Sequence, residues 1–145
     1  MVPKDAIVKV ITSFHRLVFD VSQGKIAGKT GGMPVVKLTT TGRKSGKPRT
    51  TMLTSPLEED GNVVLVASYG GDDRHPMWYS NLVANPDVEV VMNGANRKMH
   101  ARVAEGDERT RLWETLTAKH SNYAGYQRRT SRQIPVVVLE PQPKP

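Results

Sequence analysis

Apolar residues recur at three- and four-residue steps from Ala6 to Val21: Ile7, Val10, Ile11, Phe14, Leu17, Val18 and Val21. That period predicts an amphipathic helix, with Lys4, Lys9, His15, Arg16 and Lys25 supplying charge around it. Ser22–Met33 carries Gly24, Gly28, Gly31 and Gly32 and reads as a flexible connection. Beyond it the pattern turns to short strands. Pro34–Thr41 predicts one strand, Gly42–Pro48 a hairpin turn and Arg49–Leu57 the return strand. Asp60–Gly61 is a second hairpin signal, followed by an apolar strand over Asn62–Tyr69. Pro76 opens a short helix, Met77–Ala84, and Asn85–Pro86 closes it because proline cannot extend a helix. Val88–Met92 and Arg97–Ala104 pair around Asn93–Gly94. Asp107 is expected to cap a helix running to His120, with Glu108 in its first turn. Ser121–Gln133 is polar and aromatic, a turn or short helix, and Val136–Leu139 is a last apolar strand between Pro135 and Pro141. Six short strands and few helices predict an α+β, mainly β chain: a small barrel with helices over its ends or faces.

Composition narrows the functional classes. The chain of 145 residues is expected to form one domain, with residues 1–32 as N-terminal helix and connection and 142–145 as a frayed tail. A formal net charge of +7 favours an anionic partner: nucleic acid, acidic membrane or polyanionic ligand. The chain has no cysteine, which removes disulfides, thiolate nucleophiles and cysteine metal sites. No apolar signal region stands near the start, and no run approaches the roughly 18 apolar residues of a membrane span. A cytoplasmic location is therefore the default expectation. The basic N-terminal helix permits peripheral contact with the inner face of the cell membrane, although packing on the barrel is the simpler reading.

The candidate chemistry starts in Thr39–Arg49, TTTGRKSGKPR, where Arg43, Lys44, Lys47 and Arg49 share a turn with Gly42, Ser45, Gly46 and Pro48. Successive N–H groups in a turn form an anion-binding concavity, and Arg and Lys add direct contacts to phosphate or carboxylate. A solvated hairpin tip is equally consistent with these residue types. The turn is not a P-loop: three residues separate Gly42 from Gly46 where four are needed, and Pro48 follows Lys47 in place of Ser or Thr. A second candidate runs from Ser68-Tyr69-Gly70-Gly71 into Pro76-Met77-Trp78-Tyr79, a strand end with glycines ahead of a helix N-terminus. Trp78 by itself reads more simply as core. Tyr123 and Tyr126 lie three apart ahead of Arg128, Arg129 and Arg132; they could cover a ring or pack on the surface.

His15, His75, His100 and His120 form no ligand pattern, and Ser45, Ser68 and Ser80 sit in no nucleophile elbow. Asp72–Asp73 reads as a turn or capping pair. An enzyme built this way needs a cofactor to do the chemistry while the protein positions it.

The segments TTTGRKSGKPR, ASYGG, HPMWYSNLVANPDVEV and IPVVVLEP, in order from about Met33 to Pro141, resemble the deazaflavin-dependent nitroreductase family of actinobacteria. The resemblance implies a split β-barrel and coenzyme F420, an 8-hydroxy-5-deazaflavin with a phosphate and an oligo-γ-glutamate tail. It implies that Arg43, Lys44, Ser45 and Arg49 grip the tail and phosphate, and that Thr50, Thr51, Met52, Leu53 and Thr54 run beside the cofactor. Val66, Ala67, Ser68 and Tyr69 would line the deazaflavin, and Met77, Trp78, Tyr79, Ser80 and Asn81 would close the phosphate end. Tyr123 would sit near the ring and Tyr126 at the substrate pocket, with Ser68 or a tyrosine hydroxyl bonding to developing negative charge. The implied reaction moves hydride from C5 of the reduced deazaflavin to a quinone or nitroaromatic acceptor. His120 and Thr54 stand where the family carries aromatic residues, and the segment before Met33 matches poorly. Related split barrels often dimerise. The alternatives are an FMN-dependent split-barrel oxidoreductase, a non-catalytic F420 carrier and a nucleic-acid binder. One FMN phosphate needs fewer than four cations, and no groove-reading element or stacking platform for nucleic acid is evident.

Overall fold

The structure, a computed structural model, describes residues 29–30 and 33–142. The expected helix over Ala6–Val21 and its membrane contact lie outside the described residues, as do positions 143–145. Among the described residues eight strands form the body: β1 (Lys29–Thr30), β2 (Met33–Thr41), β3 (Pro48–Thr54), β4 (Leu57–Glu59), β5 (Asn62–Val66), β6 (Asp87–Met92), β7 (Ala95–Val103) and β8 (Val136–Pro141). Three α-helices among the same residues join them: α1 (Met77–Ala84), α2 (Gly106–Lys119) and α3 (Asn122–Gln127). A 3₁₀ turn spans Tyr69–Gly71. All pairings are antiparallel, in the order β1-β2-β6-β7-β8-β5-β4, with β3 also on β2.

Among the described residues the ladder does not close by hydrogen bonds, but β3, which branches from β2, and β4, at the far end, are consecutive in the chain. The single return strand expected over Arg49–Leu57 is thus two strands bent at Ser55–Pro56. Proline removes a ladder donor there. Ser55 stabilises the bend: its buried hydroxyl donates within reach of the Leu57 carbonyl (3.0 Å) and the Val64 carbonyl (2.8 Å). The chain so passes from β2 to β5 as its partner, the turn that gives a split barrel.

Strand alternation sorts the apolar residues onto two faces. Val36, Leu38, Val63, Leu65, Val88, Val90, Met99, Val137 and Leu139 fill the barrel, and Trp78 and Leu82 of α1 pack against them. On the other face of β5 and β8, Val64, Val66, Val136 and Val138 pack under Leu112 and Leu116 of α2 and Tyr123 of α3. Both short hairpins form where expected. Asp60 and Gly61 (φ 56° and 81°) and Asn93 and Gly94 (φ 53° and 78°) have the left-handed pairs that match strand twist.

Several boundaries differ from expectation. The strand expected to reach Tyr69 ends at Val66, because the backbone at Tyr69, Gly70 and Gly71 turns left-handed (φ 46°, 65° and 85°). Helix α2 starts at Gly106 with Glu105 as its cap residue, so Asp107 lies in the first turn beside Glu108 instead of capping. Pro76 sits at the cap position of α1, with extended ψ, not at the first helical residue. Gln142 is held in place, its side chain donating to the Met99 carbonyl at 2.9 Å and its N–H to that of Lys98 at 3.1 Å. No helix among the described residues is long and apolar enough to cross a membrane.

Candidate active site

The basic turn between β2 and β3 is internally braced. The Gly42 N–H donates to the Lys47 carbonyl (2.8 Å), and the Gly46 N–H to that of Gly42 (2.8 Å). Ser45 Oγ accepts from the Lys47 N–H (3.2 Å) and from Arg49 Nη2 (3.4 Å). Helix α1 then anchors the turn through one buried side chain. Asn81 Oδ1 accepts from the Arg43 N–H (3.2 Å) and Arg43 Nη1 (3.3 Å), while Asn81 Nδ2 donates to Thr40 Oγ1 (3.3 Å). Thr39 and Thr50 add a cross-strand hydroxyl contact at 3.1 Å.

Between turn and helix lies a cavity of about 280 Å³. Arg43, Lys44, Arg49, Thr50, Thr51, Met77, Trp78 and Asn81 line it, with Thr40 and Gly42. Among the described residues its lining has three cations and no carboxylate, a composition that suits anions. A larger cavity of about 410 Å³, lined in part by Asp87, Glu89 and Lys98, has carboxylates on its wall and is a poor host for a polyanion. Trp78 serves both roles weighed for it: it belongs to the barrel core and also forms cavity wall.

The remaining candidates lie elsewhere. Ser45 braces the turn and does not line the cavity. Alternation separates neighbours: Ala67 and Leu53 face the barrel core, Val66 packs beneath α2 and α3, and Met52 packs with Val35. Tyr79 packs on the barrel core and stacks on His75, ring centroids 4.7 Å apart. Ser80 is half-buried on α1. Ser68 is buried at the start of the left-handed turn, and Arg74 lies over the Tyr69 ring at 5.6 Å.

Tyr123 and Tyr126 meet edge to face at 6.0 Å. Burial pushes the Tyr123 hydroxyl above its ordinary pKa, and a hydrogen bond with Thr54 opposes that shift. The same hydroxyl lies 3.5 Å from Met33 Sδ. The left-handed turn abuts this helix: a Cβ on Gly71 would lie 2.8 Å from the Tyr126 carbonyl oxygen, and Arg129 Nη1 donates to the Gly70 carbonyl at 3.3 Å.

The model of the F420H(2)-dependent quinone reductase family matches residues 13–141. The chain belongs to this family. An F420H(2)-dependent quinone reductase of Mycobacterium tuberculosis is 41% identical over 129 residues, covering 86% of both chains. A solved F420H2-dependent reductase is 44% identical, with a TM-score of 0.67 over 74% of this chain and 94% of that one. A solved structure described only as a domain-swapped dimer is 38% identical, with a TM-score of 0.68 over 89% of this chain and all of the other. The fold is therefore the split barrel of these reductases and the class is oxidoreductase. The cofactor of the class is coenzyme F420, which sets aside FMN and nucleic acid as the principal ligand.

The donor set fits that cofactor. A phosphate and glutamate carboxylates are anions, and the cavity presents Arg43, Lys44 and Arg49 with the hydroxyls of Thr40, Thr50 and Thr51. At about 280 Å³ it accommodates a phosphate and its neighbours, not a whole deazaflavin with its tail. Thr40 lines the cavity but was given no site role from the sequence. It was within reach of patterning, since it continues the inward alternation of Val36 and Leu38.

Proposed function

We propose that this chain binds reduced F420 through the basic turn and the first turn of α1 and passes its hydride to a quinone. The observation that carries the binding half is the cavity shared by Arg43, Lys44, Arg49 and Asn81, with no carboxylate among the described residues of its lining. Arg43, Lys44 and Arg49 hold phosphate and tail, with Ser45 setting the shape of their turn. Thr50, Thr51, Met77 and Trp78 form the wall against which the cofactor lies. F420, when bound, supplies a two-electron hydride donor.

The chain's own contribution to chemistry is alignment and a hydrogen bond. A quinone accepting hydride gains negative charge on its oxygen. Tyr123, whose burial keeps its hydroxyl protonated well above neutral pH, is suited to donate to that oxygen. Tyr126 and Ser68 border the same acceptor region in this reading. The Tyr123 hydroxyl donates to Met33 Sδ at 3.5 Å and would turn from that weak acceptor to the quinone oxygen. Nitroaromatic compounds are the second acceptor class, to be assayed beside quinones.

Titration of the purified protein with F420 and with FMN tests the binding half. Micromolar F420 affinity is expected, weakened about tenfold or more by Arg43→Ala/Lys44→Ala, since a charge-assisted hydrogen bond contributes about 1.5–3 kcal/mol. Preference for FMN contradicts the proposal. The solved relative described as a domain-swapped dimer supports a dimer for this chain also. Light scattering should then give about twice the 16.0 kDa chain mass.

A further inference from the structure

Arg132 lies just beyond α3 and is half-buried, with its donors turned on one segment of chain. Nε donates to the Asp72 carbonyl (2.9 Å), Nη1 to that of Ala67 (3.2 Å), and Nη2 to those of Ala67 (3.2 Å) and Ser68 (2.9 Å). Nη1 also meets His75 Nδ1 at 3.3 Å, where the imidazole nitrogen accepts. Every acceptor lies in the connection from β5 to α1. Burial disfavours the charged guanidinium and lowers its pKa, and the nearby Asp72 and Asp73 charges oppose this. Placing a cation there has a desolvation cost, offset by fixing the main chain it grips.

That main chain needs fixing. Tyr69 holds a left-handed φ of 46°, an unfavourable conformation for a side chain with a Cβ, followed by Gly70 and Gly71. One end of the segment continues through His75, stacked on Tyr79, into Met77 and Trp78 on the cavity wall. The other side touches α3, where Gly71 meets the Tyr126 carbonyl and Arg129 bonds Gly70. Thr130, two residues before Arg132, accepts from its N–H (3.3 Å) and donates to the Asp73 carboxylate (2.7 Å). Arg132 thus joins the cofactor wall to the tyrosine helix through a single planar fork. A lysine, with one charge centre and no fork, cannot reproduce that set of contacts.

We infer that Arg132 is a positioning residue for hydride transfer: it fixes the Ala67–His75 segment so that α1 and α3 hold cofactor and acceptor in register. The inference rests on the F420 reading above. Misplacement of reacting groups by about 1 Å costs on the order of a hundredfold in rate. Binding of the anionic tail uses the separate basic turn and is not expected to change.

The test compares wild type, Arg132→Gln and Arg132→Lys by F420 titration, by thermal unfolding and by kcat and KM for menadione with reduced F420. In Arg132→Gln, kcat should fall at least about tenfold, while F420 affinity stays within about threefold. Arg132→Lys should recover less than half of the lost kcat. Wild-type kcat in a folded Arg132→Gln overturns the inference, as does a loss of F420 affinity matching the loss in kcat. If Arg132→Gln does not fold, the same two criteria are read from Arg132→Lys. Failure of the wild type to bind or oxidise reduced F420 is a different result, and it overturns the functional reading instead.

Discussion

Asn81 is only 4% exposed, and its amide ties both the backbone and the side chain of Arg43 to α1 while reaching Thr40. Asn81→Ala leaves Thr40 and the Arg43 N–H short of a partner, so a loss of about 1–3 kcal/mol is expected in urea unfolding. F420 affinity should fall in the same variant although no charge has been removed; unchanged affinity would show that the turn keeps its shape without α1. Gly71→Ala places a Cβ 2.8 Å from the Tyr126 carbonyl at a φ of 85°. It should lower stability by about 1 kcal/mol or more in thermal unfolding. At this scale the sequence exposed the cations and the α1 residues, because charge and turn chemistry are local properties. The part played by Arg132 was hidden, since its acceptors are carbonyls about 60 positions away that any residue type provides.

Helix α2 is held to the sheet by ion pairs as well as by Leu112 and Leu116. Arg102 on β7 pairs with Glu108 of α2 and with Glu140 of β8, and Arg111 pairs with Glu59 of β4 at 2.8 Å. Hydrogen bonding to Arg102 lowers the pKa of Glu108, and Arg111 does the same for Glu59. Depressed folded-state values mean that this stabilisation is present above the ordinary glutamate value of 4.5 and is lost as pH falls through the folded values. The Tm difference between wild type and Glu108→Gln should therefore be largest near neutrality and shrink below about pH 4.5. These pairs are partly exposed, so the effect is expected to be small and to weaken with salt. The hairpins at Asp60–Gly61 and Asn93–Gly94 were legible because their turn type demands those residues. The bend at Ser55–Pro56 was not, since a contact that stabilises it, Ser55 to the Val64 carbonyl, lies on another strand.

Across the molecule, the formal charge of +7 favoured an anionic partner, and the fold gives that charge a place by gathering Arg43, Lys44 and Arg49 around one cavity. F420 affinity should fall as ionic strength rises, most steeply for forms with longer glutamate tails; a salt-independent affinity would mean that the cations do not hold the tail. The barrel could be anticipated from alternation; turn chemistry left anion binding and a solvated tip equally open, and the family resemblance supplied the cofactor. The tyrosine end could not, because Tyr123, Thr54 and Met33 meet only through tertiary packing. Anaerobic stopped-flow mixing of protein-bound reduced F420 with menadione reads hydride transfer to quinone itself. Oxidised F420 absorbance should return with one equivalent of menadiol formed, at a rate that rises with menadione concentration until it saturates. Tight binding of reduced F420 with no oxidation by any quinone would contradict that transfer and make the protein a carrier of the cofactor.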